Sequence, residues 1–537
     1  MRPILAFALL LLSACGDKDP GEDTQQPLQD ADGDGFATVD DCDDEDPAVN
    51  PDAAELPYDG LDNDCEASTP DDDLDGDGLA LMEDCDDGDP AVGGDEVAYD
   101  GVDNDCDPST LDDDGDGDGF RVGEDCDDGD SSVWLPSDEL EGDLSAGFVD
   151  FCAGYCERTL RGNLDLSLAT PEEVAALGCL TSVSDDVWVI GNATLTSFDG
   201  LQRLSYVGGF FEILGNDRLM SLAGLDALSF VGTELTVNFN PALTSLDGLT
   251  SLTNLDGGLA ISANDTLTSL EGLEELVSIG ELLIVSDHDA LTSLAGLEGL
   301  ATVGGYVHIA ENITLTSLSG LDGLSSVGIY VSLSNNPKLK NLSGLEGLTS
   351  VGGGLSVYGC DALTDLSGLE GLTFVGDDLS FYRNDSLTSL SGIEGFTVVG
   401  GELQIGYNPS LTSLTALAGV TSVGGELEIS NNAALTSLVG LEGVLSVGEN
   451  LTVLNNDRLT SLVGLDGLSA VGGDVMIRDN DALTSFVGLE RLTSVGDGLE
   501  IRDNDALCED AVDALIAQLT TFTGSVVNSK NLGTCPS

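Results

Sequence analysis

Three short stretches of the chain carry residues whose types and spacing can do chemistry: DADGDGFATVDD (Asp30 to Asp41), DLDGDGLALMED (Asp73 to Asp84) and DGDGDGFRVGED (Asp114 to Asp125). Each has Asp at its first, third and fifth positions, Gly at the sixth, an apolar residue at the seventh and Asp at the twelfth. The residues are Asp30, Asp32, Asp34, Phe36 and Asp41 in the first stretch, and Asp73, Asp75, Asp77, Leu79 and Asp84 in the second. The third has Asp114, Asp116, Asp118, Phe120 and Asp125. Carboxylates so spaced, with a glycine that permits a sharp turn and a backbone carbonyl from the seventh residue, surround a hard cation with oxygen. Seven aspartates between Asp30 and Asp44 repel one another unless the segment is unfolded or a positive ion sits among them.

The spacing is that of the EF-hand calcium loop, with Asp at the position where that loop carries Glu. The shorter side chain predicts a weaker or differently shaped site, and Ca2+ is the expected cofactor. After each loop come a cysteine and further acid, as in DCDDEDPAVNPDAAELPYDGLDNDC and DCDDGDPAVGGDEVAYDGVDNDC, while the third copy loses this ending. The whole unit resembles the aspartate-rich metal-binding repeats of bacterial surface proteins and, more distantly, thrombospondin type 3 repeats, which wrap calcium with little apolar core. By that resemblance Asp43, Asp44 and Asp46, with Asp59, Asp62 and Asp64, hold further ions.

The elements that must carry these loops begin with MRPILAFALLLLSACG, a basic Arg2 followed by an apolar run too short to span a bilayer. Its Leu-Ser-Ala-Cys ending resembles the bacterial lipobox, which implies lipidation at Cys15 and attachment to the membrane through that lipid alone. The expected location is a bacterial cell envelope, surface-exposed on the outer membrane. The formal charge is −84 with only fifteen Lys plus Arg, which excludes nucleic acid as a partner by phosphate repulsion. Before Phe151 the only basic residues are Arg2, Lys18 and Arg121, so the chain has an acidic front and a more ordinary remainder.

Twelve cysteines suit an oxidising compartment. Setting aside Cys15 and Cys360, proximity in the chain suggests Cys42 with Cys65, Cys85 with Cys106, Cys126 with Cys152, Cys156 with Cys179, and Cys508 with Cys535.

From Leu195 to Leu507 a leucine stands every 24 residues without an insertion. In LTSLVGLDGLSAVGGDVMIRDNDA (Leu459 to Ala482), apolar residues fall at positions 1, 4, 7, 10, 13, 17 and 19. This pattern suits a coil that buries its apolar side only when neighbours stack on it. Positions 16 to 20 alternate as a half-buried strand does, and Gly472 with Gly473 marks a corner before it. Position 22 is Asn from Asn216 to Asn504 except at His288 and Cys360, which predicts an inward amide ladder and a buried, unpaired Cys360. The array resembles the receptor L domain and leucine-rich repeats, which implies a mainly β, right-handed parallel solenoid. The resulting organisation is a signal peptide at 1–15, a tether at 16–29, three calcium modules at 30–135, a linker at 136–155, the solenoid at 156–506 and a disulfide-linked cap at 507–537. Glu509 to Leu519 reads as an amphipathic helix closing the last coil.

Outward strand positions carry Tyr306, Tyr330, Tyr358, Tyr382 and Tyr407, expected as one stripe that meets a protein or glycan ligand. Ordinary strand composition is the bland alternative. Position 8 is Asp or Glu in most coils, either an acidic row for divalent cations or a solvated edge that prevents aggregation. His288 and His308 are the only histidines, so no histidine-based catalytic or metal centre assembles, and no enzymatic activity is expected. Adhesion or ligand capture is the function these features support, with a ligand-free envelope spacer as the alternative and a polysaccharide-active enzyme behind both.

Overall fold

The computed structural model describes residues 30–37, 39–56, 61–66, 74, 86, 88–90, 92 and 137–534. Two compact units are present, residues 1–131 and 132–537. The expectations for Cys15, Asp59, Asp73, Asp75, Asp77, Leu79, Asp84, Asp114, Asp116, Asp118, Phe120, Asp125, Cys85, Cys106, Cys126 and Cys535 lie outside the described residues.

The second unit is a parallel β-solenoid. Each 24-residue coil contributes one longer strand, such as Val475–Arg478, and one two-residue strand, such as Ala470–Val471. The longer strands stack into one 16-stranded sheet that begins at Leu164–Asp165 and ends at Val526–Ser529. The short strands form three smaller sheets. Register follows the repeat without slippage: Leu451 faces Val475, and Val475 faces Leu499. An unbroken period of this kind lets each side chain meet its own counterpart one coil away, so a single pattern solves the packing of every interior turn.

Leu459, Leu462, Leu465, Leu468, Val471, Val475 and Ile477 are all buried, which is the apolar set read from the sequence. The same positions in neighbouring coils join one continuous core from Leu144 to Leu515. Burial of each such side chain contributes about 1.5–3 kcal/mol. None of it is available to a coil without neighbours.

Both ends are closed. At the first, residues expected as a linker are instead part of the solenoid: Asp138–Glu141 pairs with Arg158–Arg161 in parallel, and Leu144, Phe148 and Phe151 enter the core. Apolar residues there, such as Leu140, Leu144, Phe148 and Phe151, stand among five acids at no fixed spacing, so no period reveals them as anchors. Helix α1 (Pro171–Ala175) is held by a capping box between Thr170 and Glu173. At the far end α2 (Glu509–Gln518) buries Val512 and Leu515, and Gln518 Nε2 donates to the Leu489 and Leu492 carbonyls at 2.6 and 2.9 Å.

Disulfides hold the ends and the acidic unit. Cys42 is bonded to Cys65. Cys152 is bonded to Cys179, which corrects the expected pairings of Cys152 with Cys126 and of Cys156 with Cys179. The reason is spatial: the turn after Phe148–Asp150 folds onto the first coil, where the Cys179 backbone N–H lies 3.0 Å from Cys152 Sγ. Cys156 and Cys508 are also disulfide-bonded.

Candidate functional site

In the first loop Asp30, Asp32 and Asp34 place carboxylate oxygens within 4.8 Å of one another. Local hydrogen bonds shape it. Gly33 N–H donates to Asp30 Oδ1 at 2.6 Å, Gly35 N–H to Asp30 Oδ2 at 3.2 Å, and Phe36 N–H to Asp34 Oδ1 at 2.9 Å. Gly33 and Gly35 both have positive φ, 86° and 108°, so the turn uses a backbone that other residues rarely adopt. The Asp32 carboxyl is raised above its ordinary range by loss of hydration and then by the charges of Asp34, Asp41 and Asp30, which puts all four acids in one electrostatic neighbourhood.

Asp41 is 8% exposed, and its Oδ2 is buried without a hydrogen-bond partner, as are Asp32 Oδ2 and Asp34 Oδ2. Buried carboxylate oxygens without donors are costly. A cation bound among them removes that cost. The donors are all hard oxygen, which fits calcium or a similar ion.

A second cluster joins Glu55, Asp62 and Asp64. Glu55 Oε2 accepts from Asn63 N–H at 2.8 Å and Asp64 N–H at 3.2 Å, while Glu55 Oε1 is buried and unpartnered. Glu55 carries no position in the loop spacing and was invisible to it. Asp41 also lies beside Cys42 and Cys65, but those sulfurs are bonded to each other and offer no thiolate. Val49 and Val92, at matching places in successive copies, are both buried and make the same backbone bond, to Asp46 O and Asp89 O at 3.0 and 2.9 Å. The Val at this place thus makes the same turn bond in both copies.

On the solenoid the tyrosines form two groups instead of one stripe. Tyr306 faces Tyr330 at the start of their strands, whereas Tyr358 and Tyr382 stand at the ends of theirs, four residues farther along. At about 3.3 Å per residue that separation exceeds side-chain contact. The Tyr330 ring lies over Gly354 and the Tyr382 ring over Gly406, each filling space that a glycine leaves in the next coil. The Tyr382 hydroxyl is pushed up to about 12 by burial, with Glu428 adding to it, and is hydrogen-bonded to Tyr407.

Tyr358 and Tyr382 stack at 6.2 Å and 7°, and Tyr382 meets Tyr407 at 4.9 Å and 48°. Arg383 lies between the outer rings, 5.8 Å from Tyr358 and 5.5 Å from Tyr407. Tyr358, Arg383 and Tyr407, with residues such as Asn335, Gly359 and Asp361, border a trough of about 460 Å³ that Asp385, Pro409 and Asn431 complete. A larger groove of about 570 Å³ follows the short strands, lined by glycines, small hydroxyls such as Ser278 and Thr302, and apolar side chains such as Val303 and the exposed Phe374.

A family described as "Putative metal-binding motif", whose name refers to copper, matches residues 41–69, 84–117 and 125–136. Each match starts at the twelfth position of a loop and takes in the acidic segment after it, so the Glu55, Asp62 and Asp64 cluster falls inside the first. No curated protein sequence matches the chain. The chain is thus similar to a metal-binding motif in its acidic unit and is a β-solenoid beyond it.

Proposed function

We propose that the protein is a lipid-anchored component of a bacterial cell surface that binds calcium through its acidic repeats and recognises a protein or glycan through its solenoid, without catalysing a reaction. The observation that carries the metal half is the group of buried, unpartnered oxygens on Asp32, Asp34 and Asp41. Oxygen-only donors favour calcium over copper in this reading, because the sulfurs that would favour copper(I) are tied up in a disulfide. The family's name supports copper as a second reading, and one titration separates the two. Extracellular calcium modules typically bind at about 10⁻⁴ to 10⁻³ M.

Anchoring through Cys15 rests on the lipobox resemblance of Leu12-Ser13-Ala14-Cys15; among the described residues, no helix is long and apolar enough to cross a membrane. The recognition half is supported by the Tyr358, Arg383 and Tyr407 group, in which the guanidinium lies against two rings; Arg478 and Arg502, at the ends of later strands, instead both pair with Glu500, at 3.2 and 2.7 Å.

Calorimetric titration of the metal-stripped mature chain tests the metal role directly. Heat from calcium that saturates in the millimolar range, with copper(II) giving no tighter site, is the expected result. Tighter, saturating copper uptake that calcium does not displace would reassign the ion, and no uptake of either would end the metal reading.

A further inference from the structure

We propose that the trough bordered by Tyr358, Arg383 and Tyr407 is a binding subsite for an uncharged linear glycan, lying along the axis on which the coils stack. This rests on the recognition role proposed above for the solenoid. Arg383 carries the argument. Its guanidinium is held between two tyrosine rings, yet among the described residues it makes no hydrogen bond or ion pair, although Asp361 and Asp385 border the same trough. A fixed fork of open donors beside open carboxylate acceptors, with the amides of Asn335 and Asn431 at the margins, matches a ligand that offers both hydroxyl donors and acceptors. The rings add an apolar face for the carbon side of such a ligand.

Charge narrows the class. Two carboxylates against one guanidinium, in a chain of net charge −84, repel an anionic polymer. A cationic chain would be drawn by the carboxylates but would find the ring faces already occupied by the Arg383 guanidinium, which leaves it bulk charge attraction without a fitted contact.

Shape favours a chain over a single small molecule. Next to the trough is a second hollow of about 350 Å³, bordered by Asp287, Glu311, Ile313 and Pro337, and the two share Asn335, Gly359 and Asp361. From Asp287 to Asn431 the same two coil positions repeat, at about 4.8 Å per coil, for a run of about 30 Å. Gly359 joins the hollows. Its neighbours along that line are Asn335 and Arg383, and a Cβ at Gly359 would meet Asn335 Oδ1 at 2.6 Å.

The test uses the full mature chain against immobilised linear glucan, mannan and galactan oligosaccharides, with polyuronate and polylysine as charged controls. Two variants interrogate the trough: Gly359→Arg to block it and Tyr407→Ala to remove a wall. Both should fold, because the same left-handed backbone position carries Arg383 at φ 58° and Ala263 at φ 52°. The expected result is binding to at least one uncharged chain that falls about tenfold in either variant, the size of losing one well-placed aromatic contact. Glycan binding unchanged in both variants overturns the trough as the site while leaving recognition by the solenoid intact. Binding only to a charged control overturns the ligand class. Binding to no glycan, with a surface protein captured by wild type and Gly359→Arg alike, also overturns this inference but spares the broader one. Capture of nothing at all sinks both.

Discussion

The backbone N–H of Gly344 donates to the Glu346 carboxylate at 2.7 Å, and the same bond recurs from Gly296 to Glu298, Gly368 to Glu370 and Gly440 to Glu442. The acids at position 8 therefore close turns within their own coils. Each acid closes a turn whose glycine has φ of 111–117° and whose Cβ, if present, would run into a leucine carbonyl of the preceding coil, that of Leu318 for Gly344. The coil from Leu411 supplies its own control: it has Ala416 and Ala418 in place of the glycine and the acid, and there the turn becomes a 3-10 helix, Thr415–Leu417. Glu346→Ala should cost about 1 kcal/mol in chemical denaturation, and Glu346→Gln, which keeps an acceptor, less than half of that. Gly344→Ala should cost more than either, since it combines strain with overlap. Equal stability of all three variants would show that the bond is incidental.

His288 replaces an asparagine of the ladder without breaking it. Asn264 N–H donates to Nδ1 at 3.3 Å, and Nε2 faces the Ile261 carbonyl at 3.1 Å, so the neutral ring, protonated at Nε2, makes the acceptor and donor bonds of the amide it replaces, while Nδ1 also lies 3.2 Å from the Asn264 carbonyl. Burial holds its pKa below the ordinary 6.5, against opposing hydrogen bonds to Asn264 and Ile261 and the charges of Asp287 and Asp265. The unfolded chain takes up a proton as the pH drops through 6.5 while the folded chain does not, so stability is full above that value and declines below it. The slope reaches at most about 1.4 kcal/mol per pH unit. His288→Asn should remove this component, so wild type and variant should match at about pH 7.5 and separate on acidification, with the variant the more stable. Parallel melting-temperature curves for the two proteins would refute the assignment.

Much of the solenoid was legible because one rule repeats. The leucines, the half-buried strands and the inward asparagines obey a period of 24, and the structure places them as the period requires. What the period could not reveal is set between coils or outside them. Phe239, Arg383 and Tyr407 all adopt left-handed backbone just before the ladder, and nothing about those side chains announces it. Gly359 stands at the same place and was the available signal for the trough. The pairing of Cys152 with Cys179 depends on how a non-repeating cap folds back, which chain distance does not encode. Glu55 escaped notice because its carboxylate is brought in by a turn outside the loop spacing.

The ladder should behave as a chain of mutually dependent bonds. Asn432 Oδ1 accepts from Asn408 N–H at 3.1 Å, and its Nδ2 donates to the Ile405 carbonyl at 2.8 Å, both in buried surroundings. Asn432→Leu strips the first group of its acceptor and the second of a donor, at a cost of about 2–4 kcal/mol. Because stability in a stacked array depends on neighbour contacts, the loss should also divide unfolding into two transitions on either side of that coil. Hydrogen exchange resolved by segment would show this as early opening confined to the coils around residue 432. Uniform opening along the array would mean that the ladder does not couple the coils.

The Cys42 to Cys65 bond should matter to metal affinity as well as to folding. It ties the residue after Asp41 to the residue after Asp64, and Cys42 Sγ lies 3.3 Å from the Asp62 carbonyl oxygen, so the end of the first loop and the second cluster are fastened at one point. Opening a link that spans 23 residues frees about 3 kcal/mol of chain entropy in the unligated segment, which has little apolar core beyond Val49 to resist it. Part of that cost then falls on binding. Cys42→Ser with Cys65→Ser should weaken calcium by roughly ten- to a hundredfold without changing how many ions bind, whereas Asp41→Ala should remove one ion and leave the remaining sites at their original affinity. Calcium should in turn slow reduction of the bond, because an ion held by the folded loop stabilises it in proportion to occupancy. Titration and thiol trapping with and without calcium measure the two sides of one linkage. Calcium affinity unaffected by the double serine variant would separate the disulfide from the metal altogether.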